Sequence, residues 1–363
     1  MIERDELVAW LRLLETPGVG RESARKLLAA LGSPQAVFDA SGSALRGVLG
    51  SSASALGAVP PALATLVEAT WLWLAADAGH AIVTLGDAAY PTALLETADP
   101  PLLLYAQGRL ELLCAASLAV VGSRNPTRQG TENAHAFAAE LSRAGLTVVS
   151  GLALGIDGAA HEGGLEGDGS TIAVVGTGLD RVYPKRHLEL AHRIAAKGLI
   201  ISEYPLGTPP LAAHFPLRNR LIAGLTRGTL VVEAAVQSGS LITARLAAEA
   251  GRDVFAIPGS IHAPQSRGCH ALIKQGAKLV DSAQDILEEL RLPAARTAGD
   301  AAAPTGKEDP LLEALGFEPV TLDALVARTG MAPADLNTRL LELELDGRVA
   351  RLPGQLFQRS ARA

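Results

Sequence analysis

The chain has 363 residues, longer than one typical domain, which predicts two or three folding units with ample apolar material for a core. Hydrophobic residues at 48% against charged residues at 19% exclude a solvated coil. Two cysteines outside any CxxC or Cys/His cluster give no support to a disulfide framework or a metal site, and a net charge of −6 excludes a basic polyelectrolyte, so any nucleic-acid site must be local.

Met1 to Glu6 places charges where a secretory leader needs an apolar core, which predicts a cytoplasmic protein. Residues 1–79 read as a helical domain. Leu7, Trp10, Leu11 and Leu14 recur at helical spacing, Pro17-Gly18-Val19-Gly20 breaks the pattern, and Ser23 to Leu28 opens a second helix. Helix, Gly-Val-Gly turn, helix resembles a helix-hairpin-helix module, whose amides face a phosphate; the same residues suit a plain αα-hairpin. The apolar stretch Leu56 to Ala78 is broken by Pro60-Pro61 and carries Glu68 and Asp77. It therefore falls short of the roughly 20 apolar residues that span a bilayer, and no membrane segment is expected.

Residues 80–292 alternate short β-branched runs with helical segments. The runs are Leu118–Val121, Leu146–Val149, Thr171–Val175, Leu199–Ile201, Thr229–Val232 and Val254–Ile257. Each is apolar throughout, as strands covered on both faces must be, and this predicts a Rossmann-like, doubly wound, mostly parallel α/β sheet. Residues 293–310, rich in Ala, Pro, Gly and Thr, read as a linker. From 311 to 363, short helices at Leu311–Leu315 and Leu322–Arg328, a longer one over Pro333–Gly347 and a hairpin across Pro353-Gly354 predict a winged helix. Leu336, Leu340 and Leu343 mark the longer helix's buried face. Its single cation, Arg339, stands among Asp335, Glu342, Glu344 and Asp346, which suits a protein contact better than a DNA groove.

In an open parallel sheet ligands bind beyond the carboxyl ends of the strands. The residues there are Gly122-Ser123-Arg124, Ser150-Gly151, Gly176-Thr177-Gly178 leading to Tyr183-Pro184-Lys185, Ser202-Glu203-Tyr204-Pro205, and Glu233 followed by Ser238-Gly239-Ser240. Small residues let backbone amides approach an anion, and Ser123, Ser150 and Ser240 add hydroxyl donors. Arg124, Lys185, Arg218 and Arg220 supply charge, and Tyr183, Tyr204 and Phe215 are candidates for stacking on exposed bases. Glu203 and Glu233 are expected to orient arginines by ion pairing, and His161 and His214 to be structural or rim residues.

These turns, together with Phe215-Pro216-Leu217-Arg218-Asn219-Arg220, Pro258-Gly259, Gly268-Cys269-His270 and Leu272 to Ala277, resemble the motif series of the DNA-processing protein A family, DprA or Smf, in the same order. The resemblance implies a protein that is not an enzyme and needs no cofactor. It implies binding and protection of single-stranded DNA entering during natural transformation, handover to the RecA recombinase, and a homodimer formed through the α/β domain, with Leu272, Ile273 and Leu279 as contributors. Carried over by position, Gly122, Ser123, Arg124, Ser150, Gly151, Lys185, Arg218, Asn219, Arg220, Gly239 and Ser240 form the strand site, with no catalytic or metal residues. Gln237 stands where the family often has arginine, which removes one cationic contact.

The rival reading is a nucleotide-processing hydrolase of the lysine-decarboxylase-like family. That family's Pro-Gly-Gly-x-Gly-Thr run is replaced here by Ser238-Gly239-Ser240. Neither G-x-G-x-x-G nor a Walker lysine loop occurs in the corresponding turns.

Overall fold

The computed structural model describes residues 2–292 and 309–359. The chain divides into two compact units, Met1–Ala295 and Arg296–Ala363. The linker expected over 293–310 lies, up to residue 308, outside the described residues.

The first unit opens with α1 (Arg4–Glu15), α2 (Arg21–Leu31), α3 (Pro34–Asp39), α4 (Gly42–Leu49) and α5 (Leu63–Ala76). Gly18 turns α1 into α2 at φ +83°, a conformation that a side chain would penalise. Ser33 and Ser41 cap α3 and α4, their hydroxyls accepting from the amides of Ala36 and Ala44. Helix α5 buries Leu63, Val67, Thr70 and Leu74, one stripe at helical spacing. No helix among the described residues is long and apolar enough to cross a membrane.

The sheet follows, built from β1 (His80–Thr84), α6 (Thr92–Leu95), β2 (Leu103–Gly108), β3 (Ser117–Val121), α7 (Arg128–Arg143), β4 (Thr147–Ser150), α8 (Ile156–Gly164), β5 (Thr171–Val175), α9 (Leu188–Lys197), β6 (Leu199–Ser202), α10 (His214–Leu225), β7 (Gly228–Val231), α11 (Ser240–Glu249), β8 (Asp253–Ala256), α12 (Arg267–Lys274), β9 (Lys278–Leu279) and α13 (Ala283–Glu289). Strand order is β1-β2-β6-β5-β4-β3-β7-β8-β9. From β6 to β9 all neighbours are parallel, whereas β1 and β2 are an antiparallel extension, β2 joining β6 through Tyr105↔Ser202. The six expected parallel strands are all present, and β1, β2 and the short edge strand β9 are additions.

Alternation along each strand feeds two cores. Ala119 and Val121 pack with Leu221, Ile222 and Ala244 on one face, while Leu118 and Val120 pack with Ala134, Phe137 and Ile156 on the other. A third core joins the N-terminal helices to the antiparallel extension, with Leu7, Leu11 and Val67 packed among Leu103 and Tyr105. The helical region thus leans on β1 and β2 and is integral to the first unit.

The second unit contains α14 (Pro310–Leu315), β10 (Val320–Thr321), α15 (Leu322–Thr329), α16 (Pro333–Leu345), β11 (Val349–Leu352) and β12 (Leu356–Arg359), with strand order β10-β12-β11. Its core gathers Leu311, Leu325, Leu336, Leu340, Leu343 and Phe357, and the winged-helix outline agrees with the sequence reading.

Helices α7 and α8 touch through glycine. A Cβ on Gly163 would lie 2.2 Å from the carbonyl oxygen of His135, backbone that cannot move aside alone. Gly163→Ala is therefore expected to lower stability by about 1–3 kcal/mol through overpacking, read as a lower urea midpoint at unchanged m-value.

Candidate nucleic-acid interface

The chain runs β3, β4, β5, β6 outward in one direction and then returns to place β7 on the other side of β3. The β3/β7 boundary is the topological switch point, where the turns leaving two neighbouring strands diverge and leave a crevice. A cleft of about 720 Å³ opens there, and its lining includes Gly122, Ser123, Arg124, Arg218, Asn219, Gly239 and Ser240.

The wall after β3 is fixed by close packing. The Ser123 amide donates to the Glu233 carbonyl (2.7 Å), and a Cβ on Gly122 would fall 2.6 Å from the Ile156 side chain. The Arg124 guanidinium is exposed and lies 6.0 Å from the Phe215 ring, whose centroid is 5.5 Å from that of Tyr183. A cation thus stands beside an aromatic step, and Tyr183 is 49% exposed and open to a base. The wall after β7 is the start of α11. Ser238 and Ser240 share a hydroxyl contact (2.7 Å), the Ser240 amide donates to the Ser238 hydroxyl (3.4 Å), and the Leu241 and Ile242 amides donate to the Ser238 and Gly239 carbonyls (3.1 Å each), so the serine hydroxyls are the donors this turn offers.

Arg218 forms the floor. It is 5% exposed, its Nη1 donates to the Val174 carbonyl (2.5 Å), and its Nε has no hydrogen-bond partner among the described residues. Burial lowers its pKa to about 10, opposed by the charge of Asp157, so the guanidinium remains protonated at neutral pH. Asp157 is itself buried. Burial pushes its carboxyl up, while Arg218 and the amides of Ala153 and Gly151 act in the other direction. Gly151 has no room for a side chain, because a Cβ there would sit 1.8 Å from Arg218 Nη1.

Not every expected site residue reaches the cleft. Ser150 is fully buried, its hydroxyl donating to the Val120 carbonyl (2.7 Å), and Gly151 donates its amide to Asp157 (3.1 Å), so both lie beneath the cleft. Lys185 is exposed on a short 3-10 turn after the cis Tyr183-Pro184 bond and lies outside the cleft lining. Arg220 points the other way. It binds both oxygens of Glu203, lies 3.3 Å from Asp99, and keeps 14% of its side chain exposed.

Arg21 and Arg25 of α2 complete that cluster, with Asp99 at 2.7 and 2.6 Å and Arg21 3.5 Å from Glu203. Glu203 does orient arginines, as expected, and two cations of the helix-hairpin-helix-like segment are engaged in binding it to the sheet. Glu233 instead holds the start of α7, accepting from the Thr127 amide (2.9 Å) and hydroxyl (2.5 Å). Sequence reasoning gave no role to Asp157, Asp99, Arg21 or Arg25. The carboxylate at the first turn of α8 was a visible signal for the first; the others had none.

His161 and His214 are structural. His214 stacks on Tyr204 at 3.9 Å and bonds the Gly176 carbonyl (3.1 Å), which withdraws Tyr204 from stacking on a base. His161 is fully buried. Its Nε2 accepts from the Leu152 amide (3.3 Å), its Nδ1 pairs with the Thr171 hydroxyl (2.7 Å), and that hydroxyl donates to the Val148 carbonyl (2.7 Å). The relay holds a neutral ring with its proton on Nδ1, and supports Leu152 at φ +59°.

On fold and site together, the first unit is a Rossmann-type α/β protein with a crevice at its switch point lined by Arg124, Arg218 and Ser240, and the second is a winged helix. The chain belongs to the family described as DNA recombination-mediator protein A, which matches residues 81–291, and the DprA winged helix domain matches residues 293–355. Among curated relatives, Protein Smf of Escherichia coli is 44% identical over 301 residues, 79% of each chain. DNA processing protein DprA of Streptococcus pneumoniae is 53% identical over 203 residues, 56% of this chain and 72% of that one. The X-ray structure of DNA processing protein A from Streptococcus pneumoniae aligns with a TM-score of 0.63 at 39% identity, covering 79% of this chain and 98% of that one. A DNA processing protein A from Helicobacter pylori, solved for its single-stranded DNA binding mode, aligns with a TM-score of 0.53 at 32% identity over 58% of this chain and 95% of that one.

Burial lowers the pKa of His161 to about 3, from an ordinary value of 6.5. Below pH 6.5 the unfolded chain takes up a proton that the folded chain refuses, so this group removes stability as pH falls, down to about 3. The expected slope from it is about 1.4 kcal/mol per pH unit in that window. Urea titrations between pH 7 and pH 4 should show this slope, and His161→Gln should flatten it while lowering stability at pH 7.

Proposed function

We propose that the chain binds single-stranded DNA by its sugar-phosphate backbone across the switch-point crevice, protects strands entering during natural transformation, and passes them to the RecA recombinase. The carrying observation is the convergence in one cleft of the Gly122-Ser123-Arg124 turn, the Gly239-Ser240 helix start and the Arg218-Asn219 pair. Each supplies donors, and together they present two guanidiniums against one buried carboxylate. Arg124 and Lys185 are the exposed phosphate contacts, Tyr183 the base platform, and Arg218 the fixed charge below. Ser150 and Gly151 act beneath the cleft by holding β4 and Asp157 in place, and Arg220, turned away from the cleft, holds α10 through Glu203. Family membership supports the same reading, since the Helicobacter pylori relative is described by its single-stranded DNA binding mode. The activity is binding without catalysis, in the cytoplasm. The strand-to-RecA handover rests on family membership alone.

Fluorescence titration with an oligothymidine, a duplex of equal length and nucleoside monophosphates separates this from the hydrolase reading. Tight, salt-sensitive binding to the single strand alone is expected, and turnover of a monophosphate with the strand ignored would overturn it. Arg124→Ala and Lys185→Ala should each weaken strand binding and reduce the slope of log K against log salt by about 0.7, with an unchanged melting temperature. Unaltered affinity in both moves the site elsewhere.

The same reading includes a homodimer through the α/β unit. The edge strand β9 leaves Leu279 49% exposed, and its outer side is unpaired among the described residues, while Leu272 and Ile273 of α12 are partly buried. Sedimentation at micromolar concentration should show a dimer that Leu279→Asp dissociates; a wild-type monomer contradicts it.

A further inference from the structure

Helix α16 carries a second apolar stripe that the fold does not use. Leu336, Leu340 and Leu343 point into the core of the second unit. Directly opposite them on the helical wheel stand Ala334, Thr338, Leu341 and Leu345, all exposed, with Leu341 at 56% and Leu345 at 81%. The polar groups beside this stripe are turned back onto the helix. Thr338 Oγ1 donates to the Ala334 carbonyl (3.1 Å), and Asn337 Nδ2 to the Pro333 carbonyl (2.9 Å). What remains outward is two leucines one turn apart.

Their surroundings are acidic. Asp335 and Glu342 flank the stripe on one side and Glu344 on the other, with Asp346 at the helix end. Arg339, the only cation of the helix, is held by Asp309 (2.7 Å) and Glu342 (2.6 Å). In a winged helix this third helix is the one that enters a DNA groove, and here its outward face would set carboxylates against phosphates. Pairing of two copies through the same face would set Glu342 and Glu344 of one against those of the other. A basic protein surface meets neither objection, and an apolar pair rimmed by charge of one sign is how an amphipathic helix is read by a groove.

We propose that the α16 stripe docks a protein partner through an apolar surface rimmed by lysine or arginine, with Leu341 and Leu345 as anchors and Glu342 and Glu344 as the charged rim. The proposal rests on α16 alone and stands or falls separately from strand binding.

The test uses the full chain and a dye-labelled synthetic amphipathic helix of leucine and lysine, with a leucine and glutamate helix as control, followed by fluorescence anisotropy. The lysine helix should bind and the glutamate helix should not. Leu345→Ser, at an exposed position that leaves the fold intact, should weaken binding about tenfold or more, the equivalent of one buried leucine. Glu342→Gln combined with Glu344→Gln should weaken binding and flatten its salt dependence. Failure of the lysine helix to bind, or equal binding by Leu345→Ser, overturns the proposal. So does loss of self-association in Leu345→Ser by sedimentation, which assigns the face to a second copy, or weaker duplex DNA binding by the same variant, which assigns it to nucleic acid.

Discussion

A guanidinium buried beneath the crest, that of Arg218, constrains most of what surrounds it. A charge out of water must be paired and hydrogen-bonded or it is too costly to keep. The Val174 carbonyl takes one Nη1 proton, and the nearby Asp157 carboxylate supplies the opposing charge, itself held by the amides of Gly151 and Ala153. Position 151 has to be glycine for the guanidinium to fit. The loop that follows β4 is then locked by a left-handed Leu152 and by Gly155 at φ +82°, against Ser123. One buried cation thus ties β4, β5, α8 and α10 to the same point, and the point lies at the floor of the cleft.

A second cluster does comparable work at the edge of the first unit. Arg21, Arg25, Asp99, Glu203 and Arg220 come from α2, the segment before β2, the end of β6 and α10. Isolated exposed ion pairs contribute little, but these side chains are only 10 to 33% exposed and share partners, which makes the cluster a geometric constraint more than a source of attraction. Because α10 carries Arg218 toward the cleft and Arg220 toward the cluster, the helical region and the crest are set by one helix.

The parallel sheet was readable because its six strands carry unbroken β-branched and apolar runs, the pattern of strands buried on both faces. The crest was readable for a related reason: topology fixes which turns share an edge once strand direction is known. Strands β1 and β2 had a weaker signal because their pairing is antiparallel and their alternate residues serve different cores, Val83, Leu104 and Ala106 the sheet's own and Leu103 and Tyr105 that of the N-terminal helices, so their meaning depends on partners far along the chain. Arg218 and Arg220 could not be told apart either. Two residues apart on a helix they project to nearly opposite sides, and which side meets the cleft is decided by packing of α10. The arginine cluster had no sequence signal, since Arg25 and Asp99 are 74 residues apart and Arg21 and Glu203 are 182.

The remaining difficulty is how a chain of net charge −6 presents a surface to a polyanion. The carboxylates near the crest are each engaged: Asp157 with Arg218 and two amides, Glu203 with Arg220 and Arg21, Glu233 with the start of α7. Engaged carboxylates project little field into the cleft, whereas Arg124 stands exposed in its lining. Local arrangement, and not total charge, sets what the crest attracts: at screening lengths of about 8 Å in physiological salt, a strand there responds to the charges within that reach.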